Sequence, residues 1–300
     1  DDHIFRGEAR AVVLRSPHAA ARIAEIDPSP ALSMPGVLAV FTGADLVAAG
    51  IGSAGSMAEY ARPDGSPMFK ATRSVLVTDG RVRHVGDPVA FVVAETLDAA
   101  RLGAEALLVD YEPLEAVTDV LAALDPSAPA VWEACPDNTS FLFQAGDEKA
   151  VDAAFARADH VTQLDLVINR VSAAPMEPRS AVADYDPADD RLTLYCGVQN
   201  PHSMRRILAR QYMNIPETKL RLVSPDMGGA FGMRSSPYPE LALVLHAART
   251  LGRPVRWTID RSEAFIADDQ ARDNRTTGEL ALGKDGTFLA LRVRNVVSMG

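Results

Sequence analysis

Residues 219–234 read KLRLVSPDMGGAFGMR, and residues 192–202 read LTLYCGVQNPH. Each opens with a short apolar run of strand length and then breaks into a loop of Gly, Asn and Pro. After the first, Asn200 suits a helix N-cap and Pro201 the first helical position, ahead of SMRRILARQYM. After the second comes PELALVLHAARTLG, with Pro239 in its first turn and Gly252 at its close, and then the strand candidate PVRWTI. Two strand–loop–helix units in succession predict an α/β fold. Loops at the C-terminal ends of such strands are where ligands sit. Gln199 and the glycine loop are therefore equivalent connections. Gly228 and Gly229 leave main-chain amides unobstructed, and successive N–H groups can cradle an anion. Phe231 in that setting has two readings: a ring packed in the core, or a ring facing a ligand.

Working outward, RAVVL near residue 10, VLAVF at 37–41 and VAFVV at 89–93 are strand candidates. The helix between 96 and 106 has Thr96 as its cap, and the strand LVDY follows. These form a small α/β domain over residues 1–115. Residues 116–140, rich in Pro, Ala and Asp, read as a connector. A second domain spans 141–300, with a helix in DEKAVDAAFARADHV and a hairpin in ADYDPADDRLTLYCG. The fold class is mixed α/β.

Composition narrows the function. The net charge of −10 argues against a nucleic-acid surface, and no apolar run approaches the ~18 residues of a membrane span. Cys135 and Cys196 are too few for an iron–sulfur cluster or a structural zinc site and fit reduced thiols of a cytoplasmic protein. The six histidines form no HxH or HxxxH pair. Gly50-Ile51-Gly52-Ser53-Ala54-Gly55 matches GxGxxG. It follows a helix pattern where the dinucleotide motif needs a strand, so it reads as a helix end and loop, leaving only a weak case for a nicotinamide dehydrogenase. Glu177, in PMEPR, reads as a carboxylate paired with Arg179 in a turn. With no catalytic constellation in view, the chemistry is expected from a bound cofactor. The first residues lack an initiator Met and the last read as an interrupted strand, so a portion of a longer or processed subunit is expected.

VQNPH followed by VSPDMGGAFGMR resembles the molybdenum-binding subunit of the xanthine dehydrogenase, aldehyde oxidase and carbon monoxide dehydrogenase family. There a TQN or TQNPH run precedes a GGGFGGK loop. VLRSPHAAARIAEID, MPGVLAVFTGADL, VRHVGDPVAFVVAET, VDYEPLEAV, PMEPRSAVADYDP and GRPVRWTIDRSEAF resemble the same family in the same order. The resemblance implies a hammerhead α/β domain followed by the first part of a molybdopterin-binding domain. It implies molybdenum held by a pterin dithiolene, in a cytosine dinucleotide form, with no protein side chain on the metal. It assigns Gln199 to an oxygen ligand of the metal, and Gly228, Gly229, Ala230, Phe231, Gly232 and Arg234 to the cofactor-contacting loop, with Phe231 lining the substrate pocket. Arg272, in DDQARDN, falls where some members carry a substrate-orienting arginine.

The implied reaction is hydroxylation of an aldehyde, an N-heterocycle or another electron-poor carbon. The implied partners are an iron–sulfur subunit, a flavin (FAD) subunit and the remainder of the molybdenum subunit, as a dimer of heterotrimers. Three departures stand out. Ala230 replaces a glycine, Met233-Arg234 replaces Gly-Lys, and the family's late Gly-Glu base has no counterpart, since Gly-Glu occurs only at 7–8 and 278–279. The base is expected beyond Gly300 or on a companion chain. The competing reading is a non-catalytic scaffold or assembly subunit of the same fold, which Ala230 and Met233 favour.

Overall fold

In the computed structural model, which describes residues 3–56 and 58–299, the fully apolar run Pro88–Ala94 is a strand buried along its whole length. Phe91 and Val93 enter one hydrophobic cluster, Ala90 and Val92 another. A strand covered on both faces has no polar alternation, which is why the sequence PVAFVVA is continuous. It belongs to a seven-stranded mixed sheet. The strands are β1 (Ala9–Arg15), β2 (Val37–Thr42), β3 (Pro88–Ala94), β4 (Ser180–Asp186), β5 (Arg191–Cys196), β6 (Leu220–Val223) and β7 (Val255–Thr258), in the spatial order β6-β5-β4-β7-β1-β3-β2. Thus strands of the first 115 residues and strands beyond residue 180 share one ladder, joined where β1 runs parallel to β7.

Contacts divide the chain into two compact units. The first holds the seven-stranded sheet. Helix α1 (Leu97–Ala106) packs on β1 and β3; its cap is Thr96, whose hydroxyl accepts from the Ala99 amide at 3.1 Å. Gly103 is a contact point of that helix, since a Cβ there would lie 2.8 Å from Val37 Cγ2. Helix α2 (Pro201–Ile207) begins at the Asn200 cap and Pro201, as the sequence predicts, and runs on into a wider turn over Leu208–Tyr212. Helix α3 (Pro239–Leu251) lies across β4, β5 and β7, buried over most of its length, and ends at Gly252 with φ +62°. The Gly50–Gly55 stretch follows the short helix Gly43–Ala48 and leads into the strand Ser53–Gly55. There Gly52 donates to the Tyr212 carbonyl at 2.8 Å, a close backbone approach and not a phosphate loop.

The second unit comprises residues 58–71, 116–172 and 270–299 among those described. Its centre is a three-stranded antiparallel sheet of His160–Ile168, Asn274–Leu282 and Phe288–Val297, with Asn274–Leu282 in the middle. The helix Glu148–Ala156 is capped by Asp147. The stretch 116–140 is largely irregular but ordered around Asn138. The side chain of Asn138 accepts from Val131 N and donates to the carbonyls of Ala123 and Pro129. Among the described residues no helix is long and apolar enough to cross a membrane.

Candidate functional site

Strand directions in the first unit gather five chain segments at one edge of the sheet. β5 and β6 are parallel, so the loops that leave Cys196 and Val223 emerge side by side. β4 is antiparallel to β5, so residues 173–179, which precede it, arrive at the same edge. β7 and β1 end there too. This is the position at which open α/β sheets bind ligands.

The two loops are stitched together by their own polar groups. The Ser224 hydroxyl accepts from Val198 N and donates to Val198 O, both at 3.1 Å. Gln199 N donates to Arg234 O at 3.2 Å, and Ser235 Oγ donates to Gln199 Oε1 at 3.3 Å. A Cβ at Gly197 would lie 2.4 Å from Arg234 Nη1 and 2.9 Å from Met227 Cγ, so a side chain there would have to displace one of them. Gln199 is exposed. With its Oε1 engaged by Ser235, its Nε2 is left as a donor with no partner among the described residues. The glycine loop has φ of +108° at Gly229, +50° at Phe231 and +89° at Gly232. The amides of Gly229, Ala230, Phe231 and Gly232 make no hydrogen bond among the described residues. Phe231 is 78% exposed, so its ring lies outside the core. Ala230 keeps a negative φ, and its methyl is therefore unstrained. Met233 is buried in the main hydrophobic cluster and does not reach into the loop's open face.

Arg234 points inward and is 2% exposed. Its Nη2 donates to Glu177 O at 2.7 Å and Pro178 O at 3.3 Å. The expected Glu177–Arg179 pair does not form. Glu177 instead accepts from the amide of Gly228 and faces Arg234 at 3.6 Å. Arg179 turns into the core, where it bonds Asp268 at 2.6 Å and Glu240 at 2.8 Å, with the Tyr238 ring 3.6 Å from its guanidinium carbon. Sequence-distant partners explain the difference: Asp268 and Glu240 take the Arg179 guanidinium inside the core, and the Gly228 amide takes the Glu177 carboxylate. Glu177 is the site residue that sequence reasoning missed as a partner of the glycine loop. Its one signal was a carboxylate held between two prolines.

Cys196, at the end of β5, is buried, and burial pushes its thiol up to about 12 despite the nearby Arg234. Both cysteines are free. Arg272 belongs to the second unit, where it is exposed with φ +78°, followed by Asp273 at +60°. The cavities beside the loops are small, about 10 Å³ under Arg234 and Trp257 and about 40 Å³ beside Glu177 and Tyr195. What these residues offer is one wall, not an enclosed pocket.

That wall suits an anionic cofactor whose metal is ligated by its own atoms. The loops offer N–H donors with no partner among the described residues, at Gln199 Nε2 and the amides of residues 229–232, and no group of His, Cys, Asp and Glu able to hold a metal ion occurs among the described residues. The family model for the molybdopterin cofactor-binding domain matches residues 131–300, and that for the aldehyde oxidase and xanthine dehydrogenase a/b hammerhead domain matches residues 1–115. The chain is 35% identical to the carbon monoxide dehydrogenase large chain of Hydrogenophaga pseudoflava, over 100% of this chain and 37% of that protein. It is 36% identical to the nicotine 6-hydroxylase large subunit of Paenarthrobacter nicotinovorans, over 98% of this chain and 35% of that one. The crystal structure of quinoline 2-oxidoreductase from Pseudomonas putida 86 superposes with a TM-score of 0.90 at 36% identity, covering 98% of this chain and 36% of its own. The chain thus spans about a third of the length of the relatives it matches. The chain belongs to the family of molybdenum-binding subunits of xanthine dehydrogenases, aldehyde oxidases and carbon monoxide dehydrogenases.

Proposed function

We propose that this chain is the part of a molybdenum hydroxylase that supplies one wall of the cofactor and substrate site. The observation that carries the reading is the pair of stitched loops. They leave Gln199 Nε2 and the amides of residues 229–232 without a hydrogen-bond partner among the described residues, in the same loops as the exposed Phe231. Gln199 would donate to an anionic oxygen of the bound group. Gly228, Gly229, Ala230 and Gly232 would allow close main-chain approach, and Phe231 would present a flat apolar surface to the substrate. Arg234 would act from below, holding the loop's end. When bound, molybdopterin supplies the two-electron redox chemistry. The residues of this chain orient the group, donate hydrogen bonds to it and exclude water from the substrate side.

In this reading the cofactor is the cytosine dinucleotide form. Residues 1–115 are the hammerhead domain, 116–140 a connector and 141–300 the first part of the cofactor-binding region. The catalytic base lies on chain outside these residues, and Arg272 orients substrate. Iron–sulfur and flavin subunits carry electrons away, in a cytoplasmic dimer of heterotrimers. Two relatives act on nicotine and quinoline by their names, which favours an N-heterocycle as substrate.

The test is molybdenum analysis of the intact complex, with dye reduction measured against N-heterocycles and aldehydes. Molybdenum near one atom per subunit, with turnover of at least one class, is the expected result. A complex free of molybdenum would instead support a scaffold of the same fold. The two departures once in favour of the scaffold carry little weight, because Met233 is in the core and Ala230 is unstrained.

A further inference from the structure

The carboxylate of Glu177 and the glycine loop form a closed arrangement. Gly228 N donates to Glu177 Oε2, and Glu177 N donates back to Gly228 O at 3.2 Å. At the other end of the loop, Arg234 Nη2 donates to Glu177 O at 2.7 Å, and its Nη1 lies 3.6 Å from Glu177 Oε1. One residue thus touches both ends of the stretch 228–234. Contact is close enough that a Cβ at Gly228 would lie 2.6 Å from Glu177 Cβ, and one at Gly229 would lie 3.1 Å from Pro175 Cβ.

The segment around Glu177 is itself clamped. Arg261 Nη2 donates to Pro175 O at 2.5 Å and Met176 O at 3.1 Å. Arg234 takes the next two carbonyls, of Glu177 and Pro178. Arg179 fastens the following residue to Glu240 and Asp268 inside the core. Four successive carbonyls held by two guanidinium groups, with a third guanidinium rooted below, make residues 175–179 a fixed edge. The glycine loop is braced less: Met233 N donates to Ala230 O and Ser235 N to Gly232 O, but the amides of residues 229–232 bond nothing among the described residues and three of its residues are left-handed.

We propose that Glu177 is a positioning residue: it holds the glycine loop in the conformation that faces the amides of residues 229–232 toward the cofactor. The inference rests on the function proposed above for what the loop binds, but not for how the loop is held. A carboxylate suits the task because one oxygen accepts from Gly228 while the other faces the Arg234 guanidinium. An amide at 177 keeps an acceptor but loses the charge opposite Arg234. A methyl keeps neither.

The experiment uses the intact complex with Glu177→Ala and Glu177→Gln. It reads amide hydrogen exchange of peptides covering residues 224–235 and 191–196, together with molybdenum content. In Glu177→Ala the loop peptide should exchange roughly tenfold faster or more, with 191–196 unchanged, and molybdenum content should fall. Glu177→Gln should lie between the alanine variant and the wild type in both readouts. Wild-type loop exchange in Glu177→Ala would overturn the proposal, as would full molybdenum retention in a variant whose loop exchanges fast. If Glu177→Ala speeds exchange at 191–196 as well, the glutamine variant decides, and wild-type loop exchange there overturns the proposal. A wild-type complex without molybdenum sinks the proposed function and leaves the exchange test standing.

Discussion

Gln199 and Arg234 are joined main chain to main chain, the Gln199 amide donating to the Arg234 carbonyl at 3.2 Å. The bond ties the loop after β5 to the end of the loop after β6, and it does not involve the Gln199 side chain. Changing the side chain therefore removes only the Ser235 Oγ bond to Gln199 Oε1 and leaves the main-chain tie in place.

Gln199→Ala should leave molybdenum content and melting temperature within error of wild type, because the residue is exposed and its main-chain bond survives. Turnover should fall roughly 10–100-fold, the worth of one hydrogen bond to a charged group at about 1.4 kcal/mol per decade. Gln199→Glu should be slower still, since a carboxylate repels an anionic partner. Steady-state kinetics on all three proteins, with metal analysis of each, make the check. Full activity in both variants would reduce Gln199 to a helix-entry residue.

Phe231 tests the other loop. A phenylalanine in the core costs ~3–5 kcal/mol on truncation to alanine. At 78% exposure and outside the hydrophobic clusters, Phe231→Ala should cost no more than about 0.5 kcal/mol in a denaturant titration. The ratio of kcat/KM between a bulky and a small substrate should shift instead. A large stability loss with unchanged preference would show that the ring packs against protein.

The site's two loops were legible because their signals are local. Asn200 and Pro201 announce a helix start, and clustered glycines announce a loop whatever surrounds them. The strands flanking them were equally readable from short apolar runs. What the residues could not reveal is pairing over long separations. β1 joins β7 across some 245 positions, so that the first 115 residues and the later strands build one sheet where sequence reading divided them. His160–Ile168 is exposed along its whole length and gains strand structure from Asn274–Leu282 more than a hundred residues later. The partner of Glu177 escaped for the same reason. Arg179 was near in sequence, but Gly228 and Arg234 are near in space.

Cys196 offers a check on how closed this edge of the sheet is. Burial holds its thiol up to about 12, so almost none is thiolate at pH 8. A thiol-specific reagent added to the native protein at pH 8 should leave the peptide containing Cys196 unmodified, and the same reagent in denaturant should modify it fully. Fast native labelling, read by mass spectrometry, would mean that the loops over Gly197 open often enough to admit solvent.

The buried ionic cluster beneath the site gives a pH-dependent prediction. Glu240, in the first turn of α3 and 1% exposed, accepts from Arg15 at 2.6 Å and Arg179 at 2.8 Å. Burial alone would raise its carboxyl, but Arg179 and then Arg15 outweigh that and bring it down from 4.5 to about 2. A carboxyl depressed on folding contributes stability that is fully present above its ordinary value and fades as pH falls toward the folded one. Glu240→Gln would leave two guanidinium groups buried with one fewer counter-charge, a defect that costs about 3–5 kcal/mol at neutral pH. The gap between wild type and variant should hold constant from pH 7 to about 4.5 and narrow as pH drops toward 2, where the wild-type carboxylate also takes up a proton. Urea titrations of both proteins across that range make the comparison. A gap that stayed constant down to pH 2 would show that the loss comes from packing of the amide in α3. A gap near zero at pH 7 would show that Arg15 and Arg179 are adequately satisfied by Glu263 and Asp268, which bond them at 2.5 and 2.6 Å.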